Sequence, residues 1–351
     1  MSILFIVNDE VSRRSINPIL EIFILNKCKF RILENHYSMN FMKIYRGDFI
    51  EESDAINFSW QFIISANPIK KGKFKGRYVS IPHGTMFGNN AWSLNRALNS
   101  DIFFGISPHE LTYIKHHLRD RFDECKFIPS GNPANDYLIE LFNSNSATKT
   151  SKKKLFGLDD KKTILLSSHW TSLGNLRKFG IGLLDAIIWN FPDYQVICTC
   201  HPKLLTSPKV EFRINKTVFT PHFNANWLIS SLKARENNLI KVILNNTNPA
   251  ELLFISDIFI GDNSSHLAEA SFFEIPLIVN SKGSYFDKAI AKIVSSETHQ
   301  FNNIEELIGN LSYIEDPNNS DIKVGRMIKK IFMFNVGSSA RTIFDSLNSM
   351  R

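Results

Sequence analysis

The sequence predicts an α/β protein built from two doubly wound, Rossmann-like domains that face a central cleft. Three observations lead to this fold class. At 351 residues the chain is long for one hydrophobic core, and two domains of roughly 150 residues are the natural division. In both halves short apolar runs alternate with amphipathic stretches, which is typical of parallel strands joined by helices. A polar stretch without periodicity, NSNSATKTSKKK (143–154), separates the halves and predicts a linker.

These patterns set the predicted boundaries. Residues 1–145 form the first Rossmann-like domain and residues 156–325 the second, with residues 146–155 as the linker. The amphipathic segment 326–351 is expected to be a helical tail, which could cross back to the N-terminal domain.

The first half contains six short apolar runs that predict strands, at 3–7, 30–33, 62–65, 78–81, 102–106 and 126–128. Two helix starts are well marked. Ser107 can cap a helix that has Pro108 in its first position, and Glu110 can close a capping box. Asn132 followed by Pro133 has the same pattern of a capping residue before proline.

The second half resumes the alternation, with predicted strands at 163–167, 194–200, 239–244 and 257–260 and a predicted helix at 180–190. Parallel sheets of this kind bind ligands beyond the carboxyl ends of their strands, in the cleft between the domains. Functional residues are therefore expected directly after strands.

Composition limits the class of protein. Hydrophobic residues make up 43% and charged residues 21%, which are values of a globular chain. The four cysteines form no CxxC pair, and Cys198 and Cys200 lie inside a predicted buried strand. They are interpreted as reduced core residues of a cytosolic protein, with neither disulfides nor a zinc site.

Hydropathy and charge bear on whether the protein binds membrane or nucleic acid. No apolar run approaches the roughly 20 residues needed to span a bilayer, and MSILFIVNDE meets an acidic pair too early for a secretory signal. A soluble or peripheral protein is expected. The net charge is +7, with lysines clustered at 69–77 and 151–154. Such clusters favour anionic partners, including phosphorylated substrates and anionic membrane, or are solvated loops. Nucleic acid is not expected, because no helix-turn-helix or zinc-finger spacing appears.

A hydroxyl-rich turn joins the strand at 257–260 to a predicted helix at 265–273. The backbone N–H groups of a helix start, its positive dipole end and the hydroxyls of Ser264 and Ser265 together suit a diphosphate. The alternative is that Ser264 is only an N-cap residue. Asn248 before Pro249 marks another capped helix start just upstream.

Two histidines follow predicted strands. His83 comes after YVSIP and is followed by Gly84 and Thr85. Because histidine exchanges protons near neutral pH, His83 could remove a proton from an attacking hydroxyl. His201 follows QVICTC, and Pro202 fixes the backbone so that the imidazole could donate to a phosphate oxygen or a leaving group. For both, a structural histidine is the alternative.

A third polar group, Ser168, His169, Trp170 and Thr171, follows the strand at 163–167 and could contact a base, ribose or phosphate. Trp170 could equally pack at a hinge. No metal is expected at the histidines, because no carboxylate or cysteine lies at ligand spacing from them.

The turn at 262–265 and the helix after it add three candidates. Asp262 would repel a phosphate, so it is expected to orient the turn or a histidine. Asn263 lies within the turn, and Glu269 could reach ribose hydroxyls or face solvent.

Four segments resemble, in order along most of the chain, motifs of the CDP-glycerol glycerophosphotransferases of the teichoic-acid polymerase type, a family with the GT-B fold. IPHGT (81–85) resembles that family's W-H-G-T element, and PSGNPANDYL (129–138) resembles its T-G-Y-P-R-N-D element. CTCHPKL (198–204) resembles its R-x-H-P element. The segment 251–279 resembles its E-L-x-x-I-S-D-x-x-I-T-D-Y-S-S segment, including the following D-x-A and K-P-x-I positions.

The resemblance implies a transferase that moves a polyol phosphate, in this family glycerol phosphate, from a CDP-activated donor. The acceptor would be a hydroxyl of a cell-surface glycan, such as a teichoic acid or capsule, or of a lipid-linked primer. It implies that His83 is the catalytic base, on the acceptor side with Gly84 and Thr85. It also implies that His201, Ser264 and Ser265 bind the donor diphosphate. No cofactor is implied, and the expected location is the cytoplasm, either free or at the inner face of the membrane.

Three departures from the family pattern bear on the transferred group. Asn263 replaces a tyrosine, Ala134 replaces an arginine, and SSHWT (167–171) replaces A-P-T-[WF]-R. The cation of that last motif is missing unless Arg177 or Lys178 supplies it. Two alternatives follow: a GT-B sugar-nucleotide glycosyltransferase or nucleotide-sugar epimerase, and a nucleotide- or glycan-binding module without turnover.

Overall fold

The computed structural model describes residues 2–34, 49–84, 90–119, 124–169, 173–201, 204, 212–214, 217–219, 225–244, 249–262, 264–281 and 288–350. The chain folds as two compact units. Unit 1 comprises Met1–Glu140 together with Lys330–Arg351, and unit 2 comprises Leu141–Lys329.

Unit 1 contains a six-stranded sheet in which every pair of neighbours is parallel. Its strands are β1 (Ile3–Val7), β2 (Phe30–Glu34), β3 (Ser59–Ser65), β4 (Lys75–Ser80), β5 (Ile102–Gly105) and β6 (Lys126–Pro129). The order is β2-β1-β3-β4-β5-β6. β2 thus lies on one side of β1, and β3 to β6 follow on the other side. The carboxyl ends of β1 and β3 are therefore the topological switch point.

The helices of unit 1 connect these strands. They are α1 (Glu10–Leu25), α2 (Glu52–Asn57), α3 (Asn90–Leu98), α4 (Pro108–Leu118), a 3-10 turn (Pro133–Asn135) and α15 (Ser339–Ser349). The chain passes between the units within α5 (Leu138–Phe142) and α14 (Arg326–Phe332).

The main core of unit 1 lies between the sheet, α1 and α15. Side chains of β1 alternate between the faces, so Phe5 points with Ile3 and Val7 towards this core. Phe23 of α1 packs edge-on against Phe5, with ring centroids 5.5 Å apart, and against Phe344 of α15, at 5.0 Å. The C-terminal helix therefore completes the core of unit 1.

Unit 2 contains a second parallel sheet. Its strands are β7 (Lys162–Ser168), β8 (Tyr194–Cys200), β11 (Ile240–Val242), β12 (Ile258–Gly261), β13 (Leu277–Asn280) and β14 (His299–Phe301), while β9 (Phe212–Ile214) and β10 (Thr217–Phe219) form a separate antiparallel pair. The order β11-β8-β7-β12-β13-β14 puts the switch point at the carboxyl ends of β7 and β12. The predicted α/β class with two doubly wound sheets is confirmed.

The helices of unit 2 are α6 (Ser146–Leu155), α7 (Asn175–Phe179), α8 (Gly182–Asn190), α9 (Ala225–Lys233), α10 (Pro249–Ile255), α11 (Ser265–Phe272), α12 (Lys288–Glu297) and α13 (Ile304–Glu315). The helix predicted at 180–190 begins two residues later than expected. Gly180 is in the left-handed region, with φ of 64°, and ends α7 before α8 starts.

The expected linker is an ordered helix, which corrects the sequence prediction. Asn145 caps α6 by accepting the Thr148 N–H at 3.0 Å. Lys149 and Lys153 reach the carboxylate of Asp257 at 2.7 and 3.4 Å. Burial alone would raise the pKa of Asp257. The bonds from these lysines and from a backbone N–H have the larger effect, so the pKa lies below its ordinary value. The lysines that suggested a solvated segment bind acids within unit 2.

The capping box predicted at the start of α4 is also different. Ser107 Oγ accepts the Glu110 N–H at 3.4 Å, as expected, but the Glu110 carboxylate accepts the N–H of Ile106 at 2.7 Å. Glu110 is buried and accepts a hydrogen bond from Ser93 Oγ at 3.0 Å. It lies near the buried Arg96. Burial raises the pKa of Glu110, and the Arg96 charge opposes that rise. Glu110 thus belongs to a buried polar cluster rather than to a surface cap.

The cysteines are all free. Cys125, Cys198 and Cys200 are buried, and burial raises the pKa of Cys200 to about 12. Cys28 is half-buried and differs in this from the core position expected of it.

Candidate functional site

Polar side chains meet at the switch point of unit 2. Ser168 ends β7 and His169 follows it, His201 follows β8, and Asp262 and Ser264 follow β12. These three strands are neighbours in the order β8-β7-β12, and all run parallel. Because parallel strands end at one edge of a sheet, residues separated by almost 100 positions lie together where doubly wound sheets bind ligands.

Asp262 joins the turns that follow β12 and β7. It is 2% exposed, and its Oδ2 accepts the backbone N–H of His169 at 2.8 Å and that of Asn175 at 3.3 Å. Burial raises the pKa of Asp262 to about 6, while the bonds from these backbone N–H groups oppose the rise. Asp262 therefore fixes the shape of the site, in the orienting role that the sequence suggested.

The imidazoles of His169 and His201 lie side by side. Their ring centroids are 5.5 Å apart, with an interplanar angle of 63°. The His201 N–H donates to the carbonyl of Ser168 at 2.9 Å, which continues the β7–β8 pairing up to the site. Among the residues that the structure describes, no three histidine, cysteine or acidic side chains group as a metal site would require.

Ser264 occupies the N-cap position of α11, but its side chain makes no capping bond. Its Oγ is buried and has no hydrogen-bond partner among the described parts of the chain. A buried hydroxyl without a partner costs about 1–3 kcal/mol. The interpretation of Ser264 as only a capping residue is therefore not supported. The hydroxyl is available, at a helix start, to a ligand that accepts or donates a hydrogen bond.

The first turn of α11 also carries His266, which the sequence reasoning did not select. Its Nδ1 lies 2.9 Å from Oγ of Ser167, the buried penultimate residue of β7. This bond fixes the imidazole next to Ser265 at the helix start. The signal was present in the sequence, because a histidine in the first turn beyond a strand meets the same criterion as His83 and His201.

Glu269 lies one turn further along α11 and is 3% exposed. The alternative in which this carboxylate faces solvent is excluded. The other interpretation, contact of this carboxylate with ribose hydroxyls, stays a proposal. The position of Glu269 on the helix that begins at the site is compatible with it.

Ser168 is corrected from a ligand contact to a structural residue. It is 1% exposed, and its Oγ accepts the Leu176 N–H at 3.0 Å and donates to the His169 carbonyl at 3.3 Å. A Cβ atom on Gly174 would lie 2.2 Å from the same carbonyl, so only glycine allows this approach. Ser168 and Gly174 hold α7 close behind the site.

Helix α7 brings two cations to this region. Lys178 Nζ donates to Asn280 Oδ1 at 3.1 Å, and Asn280 in turn donates to the carbonyl of Leu173 at 3.1 Å. Lys178 thus holds the end of β13 against the loop before α7. Arg177, half-buried on the same helix, remains a candidate for the cation that the SSHWT segment lacks.

His83 lies in unit 1, three residues after β4, and is half-buried with Gly84 beside it. Its Nε2 is 3.5 Å from Oδ2 of Asp9, which follows β1. Burial raises the pKa of Asp9, but the contact with His83 and the hydrogen bonds from Ser12 lower it by more, so the net pKa lies below its usual range. The sequence analysis did not select Asp9, although this acid follows the first strand just as Asp262 follows β12.

Five predicted site residues, Thr85, Trp170, Thr171, Asn248 and Asn263, lie outside the described residues. Their roles stay predictions.

No protein-family model and no curated protein sequence matches the chain. Solved structures do. The wall teichoic acid polymerase TagF is 17% identical and has a TM-score of 0.64, with 99% of this chain and 88% of that chain covered. A TagF variant soaked with CDPG has a TM-score of 0.66 at 14% identity, with the same coverage.

Two other kinds of protein share the fold. UDP-GlcNAc 2-epimerase from Methanocaldococcus jannaschii is 14% identical with a TM-score of 0.63, covering 99% of this chain and all of that one. A glycosyltransferase from Rickettsia africae ESF-5 is 14% identical with a TM-score of 0.57, covering 99% and 98%. These similarities confirm the GT-B fold, and at such identities they show the fold alone.

Proposed function

We propose that the chain is a transferase that moves a polyol phosphate, glycerol phosphate in the first instance, from a CDP-activated donor onto a hydroxyl of a glycan or lipid-linked acceptor. The proposal combines the geometry of unit 2 with the sequence motifs around His83, His201 and the serine turn. The structural similarity to TagF, a wall teichoic acid polymerase, gives it further support.

One observation carries the proposal. Ser264 begins a helix at the switch point, yet its buried hydroxyl bonds to no described residue. The first N–H groups of a helix lack intrahelical partners, and the dipole makes that end positive. Hydroxyl, backbone N–H groups and the imidazole of His201 suit the oxygens of a diphosphate.

The proposed reaction assigns one task to each residue. His83 removes the proton of the acceptor hydroxyl, whose oxygen then bonds to the β-phosphorus of the donor. The bond from that phosphorus to the bridging oxygen breaks, and CMP leaves with the bonding electron pair. His201, Ser264 and Ser265 stabilise the charge that develops on the phosphate oxygens, which is usually the largest catalytic contribution. Glu269 is assigned to the ribose hydroxyls.

A donor screen tests this function. The protein is incubated separately with CDP-glycerol, CDP-ribitol, UDP-GlcNAc and CMP-sialic acid, each with and without a glycan or lipid-linked acceptor, and the released nucleotide is identified. We expect acceptor-dependent CMP from a CDP-polyol. Release of UDP, or of CMP from CMP-sialic acid alone, would contradict it. Thermal stabilisation by CDP without turnover would indicate a binding module instead.

A second candidate is a sugar-nucleotide enzyme, either a glycosyltransferase or an epimerase. The similarity to UDP-GlcNAc 2-epimerase favours it, with a TM-score comparable to that of TagF. The SSHWT segment and Asn263 also depart from the polyol-transferase motifs. Conversion of UDP-GlcNAc to its 2-epimer, followed by proton NMR of the sugar, would distinguish the epimerase from both transferases.

We also propose peripheral binding to anionic membrane through unit 1. No helix in the described ranges is long and apolar enough to cross a bilayer. In the basic run, Lys71 pairs with Asp101 and Lys73 with Glu52, both at 2.8 Å, while Lys75 lies opposite Ser59 in the sheet. The residue before Ser59 is Phe58, which is 56% exposed. An exposed aromatic ring beside lysines suits an anionic lipid surface.

Co-sedimentation with phosphatidylglycerol vesicles tests the membrane proposal. Reversing the charges of Lys70 and Lys75 to glutamate should reduce binding, as should high salt, whereas Lys162→Glu and Lys233→Glu in unit 2 serve as charge-matched controls. Binding that resists salt, or that the control pair weakens equally, would contradict this surface.

A further inference from the structure

A carboxylate lies against the candidate base in unit 1. The distance from Asp9 Oδ2 to His83 Nε2 is 3.5 Å. Asp9 follows β1 and His83 follows β4, two strands apart in the sheet order β1-β3-β4. From this geometry we propose that Asp9 is the positioning residue of His83: it holds the imidazole by Nε2 and stabilises the imidazolium formed when Nδ1 takes the acceptor's proton. This proposal rests on the proposed function of His83.

The two carboxylate oxygens of Asp9 have separate tasks. Oδ1 accepts the Ser12 N–H at 2.7 Å, and Ser12 Oγ accepts the Asp9 N–H at 3.0 Å, which together form a capping box at the start of α1. Oδ2 accepts Asn67 Nδ2 at 3.3 Å and faces His83. The helix start thus fixes the carboxylate, and its second oxygen remains for the imidazole.

The polypeptide on the other side of the pair is also held. The ring of His83 packs edge-on against Trp92 of α3, with centroids 5.4 Å apart. Two residues before His83, the Ile81 carbonyl accepts Arg96 Nη2 at 2.7 Å, and the Ile81 N–H donates to Ser65 at 3.0 Å. A base whose ring is fixed on two sides needs little reorganisation during proton transfer.

The charges agree with this role. Burial raises the pKa of Asp9, but the contact with His83 and the hydrogen bonds from Ser12 outweigh it, so the pKa lies below its usual range and the carboxylate is ionised at neutral pH. An anion beside an imidazole favours the protonated ring, and a carboxylate that orients a histidine recurs in proton-transfer enzymes. The side chain of Asp9 is 47% exposed, so water and salt weaken the attraction without removing it.

The test separates charge from helix capping. In Asp9→Asn the amide oxygen can still cap α1, since asparagine is among the best N-cap residues, but the negative charge is gone. We expect kcat to fall by about 10- to 100-fold, less than loss of the base itself, with the donor KM unchanged. We also expect the NMR chemical shifts of the His83 ring protons to change at neutral pH, because the neighbouring charge is lost.

Ser12→Ala is the matched control, because it damages the capping box but keeps the carboxylate. It should lower the melting temperature and leave the His83 ring-proton shifts in place. Asp9→Glu, which retains the charge, should keep those shifts nearer to wild type than Asp9→Asn. Wild-type ring-proton shifts and kcat in Asp9→Asn would overturn the proposal, as would equal effects of Asp9→Asn and Ser12→Ala. If wild-type protein transfers nothing from any donor, the proposed function fails, while the NMR comparison still decides the Asp9–His83 interaction.

Discussion

The carboxylate of Asp262 accepts the backbone N–H of His169 at 2.8 Å. This bond ties the turn after β12 to the turn after β7, across the switch point of the unit 2 sheet. Because Asp262 is buried, the same bond places a titratable group beneath the proposed diphosphate site.

The first prediction concerns stability and pH. The pKa of Asp262 is raised from the ordinary 3.8 to about 6, so the folded state binds the proton more tightly than the unfolded state. Its stabilising contribution is full below pH 3.8 and is lost as pH rises through about 6. The difference of about two units corresponds to at most about 3 kcal/mol.

Asp262→Asn cannot ionise, and its amide oxygen can still accept the His169 N–H. The unfolding free energy of this variant relative to wild type should therefore rise between pH 4.5 and pH 7.5, measured by urea denaturation. Asp185→Asn, at an exposed ion pair with Arg235, should show no such change. Equal differences at both pH values would show that Asp262 does not titrate in this range.

The second prediction separates capping from ligand binding at α11. Ser264→Ala removes a hydroxyl that has no partner among the described residues, so stability should not fall, whereas the donor KM should rise about 10- to 100-fold for a lost bond to a charged oxygen. Asn303 caps α13 by accepting the Glu306 N–H at 2.8 Å. Asn303→Ala should show the reverse: a loss of about 1 kcal/mol in unfolding free energy and an unchanged KM. A stability loss in Ser264→Ala with normal donor affinity would favour the capping interpretation.

The third prediction concerns the base. His83→Ala should reduce the rate of CMP release from a CDP-polyol by about 10²- to 10⁴-fold, the usual contribution of a general base. His109→Ala, at an exposed position on α4, is the matched control and should turn over normally. Unimpaired turnover in His83→Ala would remove His83 from the mechanism.

The fourth prediction concerns the buried cluster before His83. Arg96 donates to Ser80 Oγ at 2.9 Å and lies near the buried Glu110. Arg96→Met removes this bond, the bond to the Ile81 carbonyl and the charge that opposes the rise in the Glu110 pKa, and should cost about 3–5 kcal/mol, measured by denaturant unfolding. Adding Glu110→Gln should restore part of the loss. Strictly additive effects of the two changes would show that these residues do not interact.

Much of the fold follows from local pattern. The strand predicted at 194–200 has those bounds in the structure, because an apolar run interrupted only by Gln195 and Thr199 is typical of a strand buried on both faces. Helix α6 could not be predicted in this way. Its lysines form ion pairs with Glu251 and Asp257, about 100 residues further along the chain. The local sequence shows only the lysines and not their partners.

The same division holds for the candidate sites. Sequence alone determined that polar residues follow buried strands, and so selected His83, His201, Ser264 and Asp262. It also marked Ser168, which the tertiary structure assigns to holding α7. Asp9 and His266 were recognised only from their contacts with His83 and Ser167.

The physical reason is the distance along the chain over which each interaction acts. Strand, turn and capping preferences act over a few residues, so they can be read directly from the amino-acid sequence. Which strand ends become neighbours is decided by the order of strands in each sheet, and this order brings Asp9 beside His83 and Asp262 beside His169. Burial then raises the pKa of Asp262, whereas the neighbours of Asp9 lower its pKa. The sequence thus determined which residue types are present, and the tertiary structure decided which of them interact.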